Sequence, residues 1–270
     1  MPNSTQRTSA PVRYYKGYIA LSDTCDVPVL LQVRNSRAIT FDQLRDLLAH
    51  EMLEAIVRSL RWRVTRLEKV GLIERLNGQR FLGKPVYGIT QQGLECLESR
   101  GHYLVSLPSD TEQILHPSKV AHALELVNIH LALARSGMLR SWKSDVEITS
   151  RNLVAASGAT KDYDAVAEIE VDGCTRTMGI EYERSAKAAS RYDSIREALN
   201  RDKATDTVLY LTSSDDILYL LAMELRATRK RIGFALSEAF RRSLLDTRTL
   251  TNTASSEIVT LRELFDLKVS

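Results

Sequence analysis

The 270 residues are 44% hydrophobic and 26% charged with a formal net charge of +3, which excludes a disordered chain and gives no global attraction to a polyanion. A chain of this length divides most naturally into two domains; it holds no run of ~18 apolar residues that could span a membrane, and its start, MPNSTQRTSAP, lacks the apolar stretch of a secretory signal. Cys25, Cys96 and Cys174 stand far apart without C-x-x-C spacing, so neither a disulfide framework nor a thiolate zinc site is suggested, and a cytoplasmic protein is expected.

Residues 1–25 are read as a flexible N-terminus. Thr40 then stands as an N-cap before Phe41, Leu44, Leu47 and Leu48, whose helical spacing predicts a helix to Ala49. A second helix is predicted from about Met52 to Val70, stopped by Gly71. In LIERLNGQRFLGKPVYGIT two strand-like runs are separated by Asn77-Gly78 and by Gly83, Lys84 and Pro85, and the turn-favouring Asn77-Gly78 is placed near the tip of their hairpin. Thr90 caps a closing helix in which Leu94 and Leu97 face inward. The order helix, helix, hairpin, helix resembles that of winged helix-turn-helix regulators, and the domain is assigned to residues 26–103.

Pro, Ser and Asp without a period mark a linker over 104–117. A long helix is predicted from Ser118 to Arg135. Beyond it DVEIT, AVAEIEV and TMGIEYE read as strands, followed by a helix from about Ala186 to Arg201, strand TVLYLT, a helix from Asp215 to Thr228 and strand RIGFAL. The pattern predicts a mixed sheet with flanking helices over 118–270, and an α+β chain overall.

The second helix carries the first functional signal. Turned at about 100° per residue, Leu60, Val64 and Leu67 share the core face, while Arg58, Trp62, Thr65, Arg66 and Lys69 lie opposite with Arg61 at the flank. Between Met1 and Asp110 the chain has 15 Lys and Arg against 11 Asp and Glu, so its positive excess sits in this half. A basic helix face calls for an anionic neighbour, and double-stranded DNA fits it. In the winged-helix family the helix before "GLI" enters the major groove and the wing touches the backbone or minor groove. The resemblance therefore implies DNA contacts by Arg58, Arg61, Arg63, Thr65, Arg66 and Lys69 of the helix and Arg80 and Lys84 of the wing, with no cofactor required. The plainer reading is a solvated basic face. Trp62 is expected to pack beneath the wing or at a dimer contact.

The second signal is acidic. Strand alternation sets Glu181 and Glu183 on one face, opposite Ile180 and Tyr182, with Asp164 at the start of the neighbouring strand. Such carboxylates suit Mg²⁺, and the plainer reading is that they face solvent. The arrangement resembles the restriction-endonuclease-like fold, which implies metal binding by Asp164 and Glu181 and hydrolysis assisted by Glu183 and Lys187. Where that pattern has lysine two residues after the glutamate, this chain has Glu183, and Lys187 is the substitute at hand. The segments IEYERS and DYDA, His122 and Asn128 in HALELVNIHLAL, and Trp142 with Glu147 are similar to the replication-relaxation family of plasmid and mobile-element proteins, which join a winged helix to an endonuclease-like domain. His116, His122 and His130 otherwise read as packed or capping residues.

Three functions are weighed. The reading taken is a sequence-specific DNA-binding protein, a homodimer regulating transcription or the replication or transfer of a mobile element, whose second domain kept the fold and lost the chemistry. The alternative is a Mg²⁺-dependent DNA endonuclease targeted by its winged helix. A protein-binding adaptor is the third.

Overall fold

α1 (Asp26–Ser36) buries Val27, Val29, Leu30 and Val33 and is followed by the two-residue strand β1 (Ile39–Thr40). The computed structural model describes residues 20–51, 53–102, 116–154, 161–226, 228–253 and 256–266. Thr40 caps α2 (Phe41–His50) in a capping box, its hydroxyl accepting from Gln43 N at 3.3 Å while Gln43 Oε1 accepts from Thr40 N at 3.1 Å. α3 (Glu54–Lys69) starts two residues later than its periodicity predicts and ends before Gly71, whose φ of 74° suits a helix terminus. The hairpin of β2 (Ile73–Phe81) and β3 (Lys84–Ile89) joins β1 in an antiparallel sheet of order β1-β3-β2, and Thr90 caps α4 (Gln91–Glu98).

The hairpin corrects one expectation. Asn77-Gly78 lie inside β2, where pairing shifts between Arg75↔Tyr87 and Arg80↔Pro85, and the chain reverses instead at Leu82-Gly83, with φ of 50° and 77°. Buried Ile73, Leu76, Val86 and Tyr87 set the register, and a bulge absorbs the residues left over.

α5 (Pro117–Arg135) serves two cores. Its Val127 and Leu131 join the core of α1, α2 and α3, and Val120, Ala123 and Leu124 pack on Ala38, Leu76 and Val86, whereas Ile129 and Leu133 enter the core of the larger sheet. Gln43 Nε2 donates to Leu124 O at 3.1 Å and Asn128 Oδ1 at 2.8 Å, so the capping residue of α2 also ties α2 to α5.

β4 (Leu139–Ser144) was not expected, and DVEIT is not a strand: it opens α6 (Asp145–Val154). Ser144 and Glu147 form a capping box, with Ser144 N donating to Glu147 Oε2 at 2.9 Å and Glu147 N to Ser144 Oγ at 3.4 Å. That local pairing overrides the strand preference of the β-branched residues.

The remaining elements are β5 (Ala165–Val171), β6 (Cys174–Glu183), α7 (Ala189–Arg201), β7 (Thr207–Thr212), α8 (Asp215–Glu224), β8 (Ile232–Leu236), α9 (Ser237–Ser243), β9 (Arg248–Thr251), β10 (Ile258–Thr260) and α10 (Leu261–Asp266). They complete a seven-stranded mixed sheet of order β10-β9-β8-β7-β6-β5-β4, in which β6, β7 and β8 are parallel and the other neighbours antiparallel. β7 is buried along its whole length, with Leu209 and Leu211 in one core and Val208 and Tyr210 in the other, as a central parallel strand covered on both faces requires. Among the described residues no helix is long and apolar enough to cross a membrane.

Candidate nucleic-acid interface and the acidic cluster

α3 turns the predicted face inward: Leu60, Val64 and Leu67 are buried beside Leu44, Leu47 and Leu48 of α2. Arg58, Arg61, Trp62, Thr65 and Lys69 are exposed. Arg63 and Arg66 are committed elsewhere. Both reach Asp26, which is only 1% exposed: Arg63 Nη1 lies 3.0 Å from Oδ1, and Arg66 pairs with Oδ2. Burial alone pushes the Asp26 carboxyl up, but hydrogen bonds from Arg66, Ser22 N and Arg63 outweigh it and hold the pKa below the ordinary value.

Trp62 does not pack beneath the hairpin. Its side of the helix is open, the residue is 61% exposed, and its ring is covered at 4.9 Å by the Arg66 guanidinium. The first turn of α2 links α3 to the hairpin. The Arg61 guanidinium lies 5.0 Å over the Phe41 ring, and the neighbouring Asp42 pairs with Lys84 and with Arg45 Nη1 at 3.3 Å. The Lys84 hydrogen bond, with the charges of Lys84, Arg45 and Arg61, keeps the Asp42 pKa below its ordinary value. Glu68 is taken by Arg75 at 2.9 Å. The result is a solvent face of cations around one aromatic ring, able to meet a polyanion. The side chain of Arg80 lies outside those described; its backbone pairs with Pro85.

In the larger sheet Glu181 and Glu183 share a face, as expected, but do not face solvent. Both are buried, and each carboxylate holds an ammonium: Lys161 on Glu181 and Lys187 on Glu183. Lys161 was not singled out from sequence, although it stands three residues before Asp164 in the same KDYD segment. Burial pushes its pKa down to about 8 against the nearby carboxylates, and its Nζ also lies 4.4 Å from the Tyr163 ring centre.

Asp164 turns towards α5. Its Oδ2 accepts from Tyr182 N at 2.8 Å and lies 3.2 Å from His122 Nε2, which is also 2.9 Å from Tyr182 O. A ring nitrogen between two acceptors is a donor. Burial opposes the charged imidazole, but Asp164 outweighs it and raises the His122 pKa. Burial likewise opposes the carboxylate of Asp164, and the His122 hydrogen bond and charge lower its pKa.

A Mg²⁺ ion at Asp164 and Glu181, as the nuclease alternative implies, would have to compete with the partners these carboxylates already hold. Asp164 faces His122 and a backbone amide, Glu181 faces Lys161, and among the described residues no three His, Cys, Asp or Glu side chains are grouped to hold a metal ion. Beside them a cleft of about 880 Å³ runs between α1, α2, α5 and β4, lined among others by His122, His130, Trp142, Asp145, Asp164 and Glu183. His130 stacks on Trp142 with ring centres 4.4 Å apart. His122, Trp142 and Glu147 all line this cleft, Glu147 while it caps α6, whereas Asn128 is occupied by Gln43.

No protein-family model, curated protein or solved structure matches this chain.

Proposed function

We propose that the protein is a sequence-specific double-stranded DNA-binding protein of the winged helix-turn-helix type, with α3 as the helix that enters the major groove. The observation that carries this reading is the solvent face of α3, where Arg58, Arg61 and Lys69 are exposed around Trp62 and the adjacent Glu68 is neutralised by Arg75. Such a protein, acting as a cytoplasmic homodimer, regulates transcription or the replication or transfer of a mobile element, in keeping with the resemblance to the replication-relaxation family. The larger sheet then belongs to an endonuclease-like domain without nuclease activity. The lysines on Glu181 and Glu183 support that part, because a metal ion would have to compete with ammonium groups already paired to these carboxylates.

The test is an anisotropy titration of duplex DNA from the region upstream of the protein's own gene, over a range of salt. Arg61→Ala and Lys69→Ala each weaken binding and reduce the salt slope by about 1. Equal binding by wild type and both variants overturns the reading. The bound duplex stays intact when Mg²⁺ is added, and its cleavage overturns the assignment of a non-catalytic second domain.

A further inference from the structure

We infer that Trp62 is the residue of α3 that reads sequence, by packing its indole against the 5-methyl group of a thymine in the major groove. The inference rests on the DNA-binding reading and adds to it the chemistry of the base contact.

Arginine is the usual reader of a major groove, through a bidentate contact to guanine. On this helix Arg63 and Arg66 are withheld from that role, because both guanidinium groups are bound to the buried carboxylate of Asp26. Four residues from Arg58 and from Arg66, and seven from Lys69, the helix presents a 61% exposed tryptophan instead. An indole so placed leaves most of its apolar surface in water, and Arg66 is the contact its ring makes among the described residues. It is also oriented in advance: Arg66, fixed by Asp26, lies over the ring at 4.9 Å, so less side-chain freedom is lost on contact with a partner.

The surroundings select the partner. Arg58, Arg61 and Lys69 are exposed around the ring, which suits a polyanion. A second copy meeting the same face across a two-fold axis would set these cations against their own equivalents. Within a DNA major groove the base edges offer donors and acceptors, and the thymine methyl is the apolar feature that an indole face can cover.

The experiment begins with a duplex selected by the wild-type protein from a random library. Each thymine in it is replaced, one at a time, by deoxyuridine, which lacks only the methyl group. Wild type loses roughly fourfold in affinity at one or two positions, the value of one buried methyl group. Trp62→Ala binds more weakly and is indifferent to the same replacements, whereas Trp62→Phe, which keeps an apolar ring, stays sensitive. The inference is overturned if wild type binds every deoxyuridine duplex as tightly as the parent, or if Trp62→Ala keeps the sensitivity. It is also overturned if Trp62→Ala leaves the pattern intact and instead abolishes a dimer seen by sedimentation. Failure of the selection, with no duplex bound at low salt, defeats the DNA-binding reading itself and is recognised by that earlier step.

Discussion

Asp26 at the start of α1 and Arg66 of α3 form an ion pair across the N-terminal core, and the same guanidinium covers the ring of Trp62 at 4.9 Å. With Arg63 on its other oxygen, Asp26 is the anchor that binds two of the cations of α3.

Replacing that anchor leaves two arginines without their acceptor. Asp26→Ala should lower stability in urea by about 2–3 kcal/mol, less than the ~3–5 kcal/mol for breaking a fully buried pair, because water reaches both guanidinium groups. The folded pKa of Asp26 lies below its ordinary 3.8, so its stabilisation is present above that value and lost as pH falls through the lower one. The deficit of the variant should therefore be full at pH 7 and shrink in acid below about pH 4. A deficit that stays constant through that range counts against the ion pair as its source.

Asp42 is a negative charge set among Lys84, Arg61 and Arg45. On a DNA-facing surface it repels phosphate and occupies Lys84, so Asp42→Asn should bind duplex DNA more tightly, by roughly three- to tenfold at low salt and with a steeper salt slope. Stability should change by no more than about 1 kcal/mol, since the pair is open to solvent. Unchanged or weaker binding would place this side of α2 away from the DNA.

Leu82 turns the hairpin at φ 50° while 84% exposed, a left-handed backbone for a side chain with little to pack against. Leu82→Asn should raise stability by about 0.5–1 kcal/mol, because asparagine tolerates that conformation. A lower unfolding midpoint would show that the leucine makes a stabilising contact.

His130 lies against Trp142, and burial, aided by His50, pushes its pKa down to about 3. The unfolded chain binds that proton near pH 6.5, so the folded state loses stability as pH falls from about 6.5 towards 3, by at most ~1.4 kcal/mol per pH unit. His130→Phe keeps the ring stack and removes the proton. Urea midpoints between pH 7 and 4.5 should fall less for this variant than for wild type, and parallel pH profiles would contradict the assignment.

Features governed by neighbouring residues were legible in the sequence. Thr40 and Thr90 cap the helices that follow them, and the spacing of Leu60, Val64 and Leu67 defines the buried side of α3. In each case the deciding energy is a hydrogen bond within one turn, or a stripe repeating with the helical period. The capping box of Ser144 and Glu147 is equally local, but Val146 and Ile148 also suit a strand, so the local signals at this segment conflict.

What lay beyond the sequence depended on partners distant along the chain. Arg63 and Arg66 look like base-reading arginines until Asp26, 37 and 40 residues away, binds them, and Glu181 looks like a metal ligand until Lys161 does. By itself the sequence determined the caps at Thr40 and Thr90, the helices that follow them and the buried side of α3, because local hydrogen bonding and helical periodicity set these. Only the tertiary structure decided which charges stay available on the surface, because opposite charges taken out of water are stable only as pairs, and the pairing is settled when distant segments pack together.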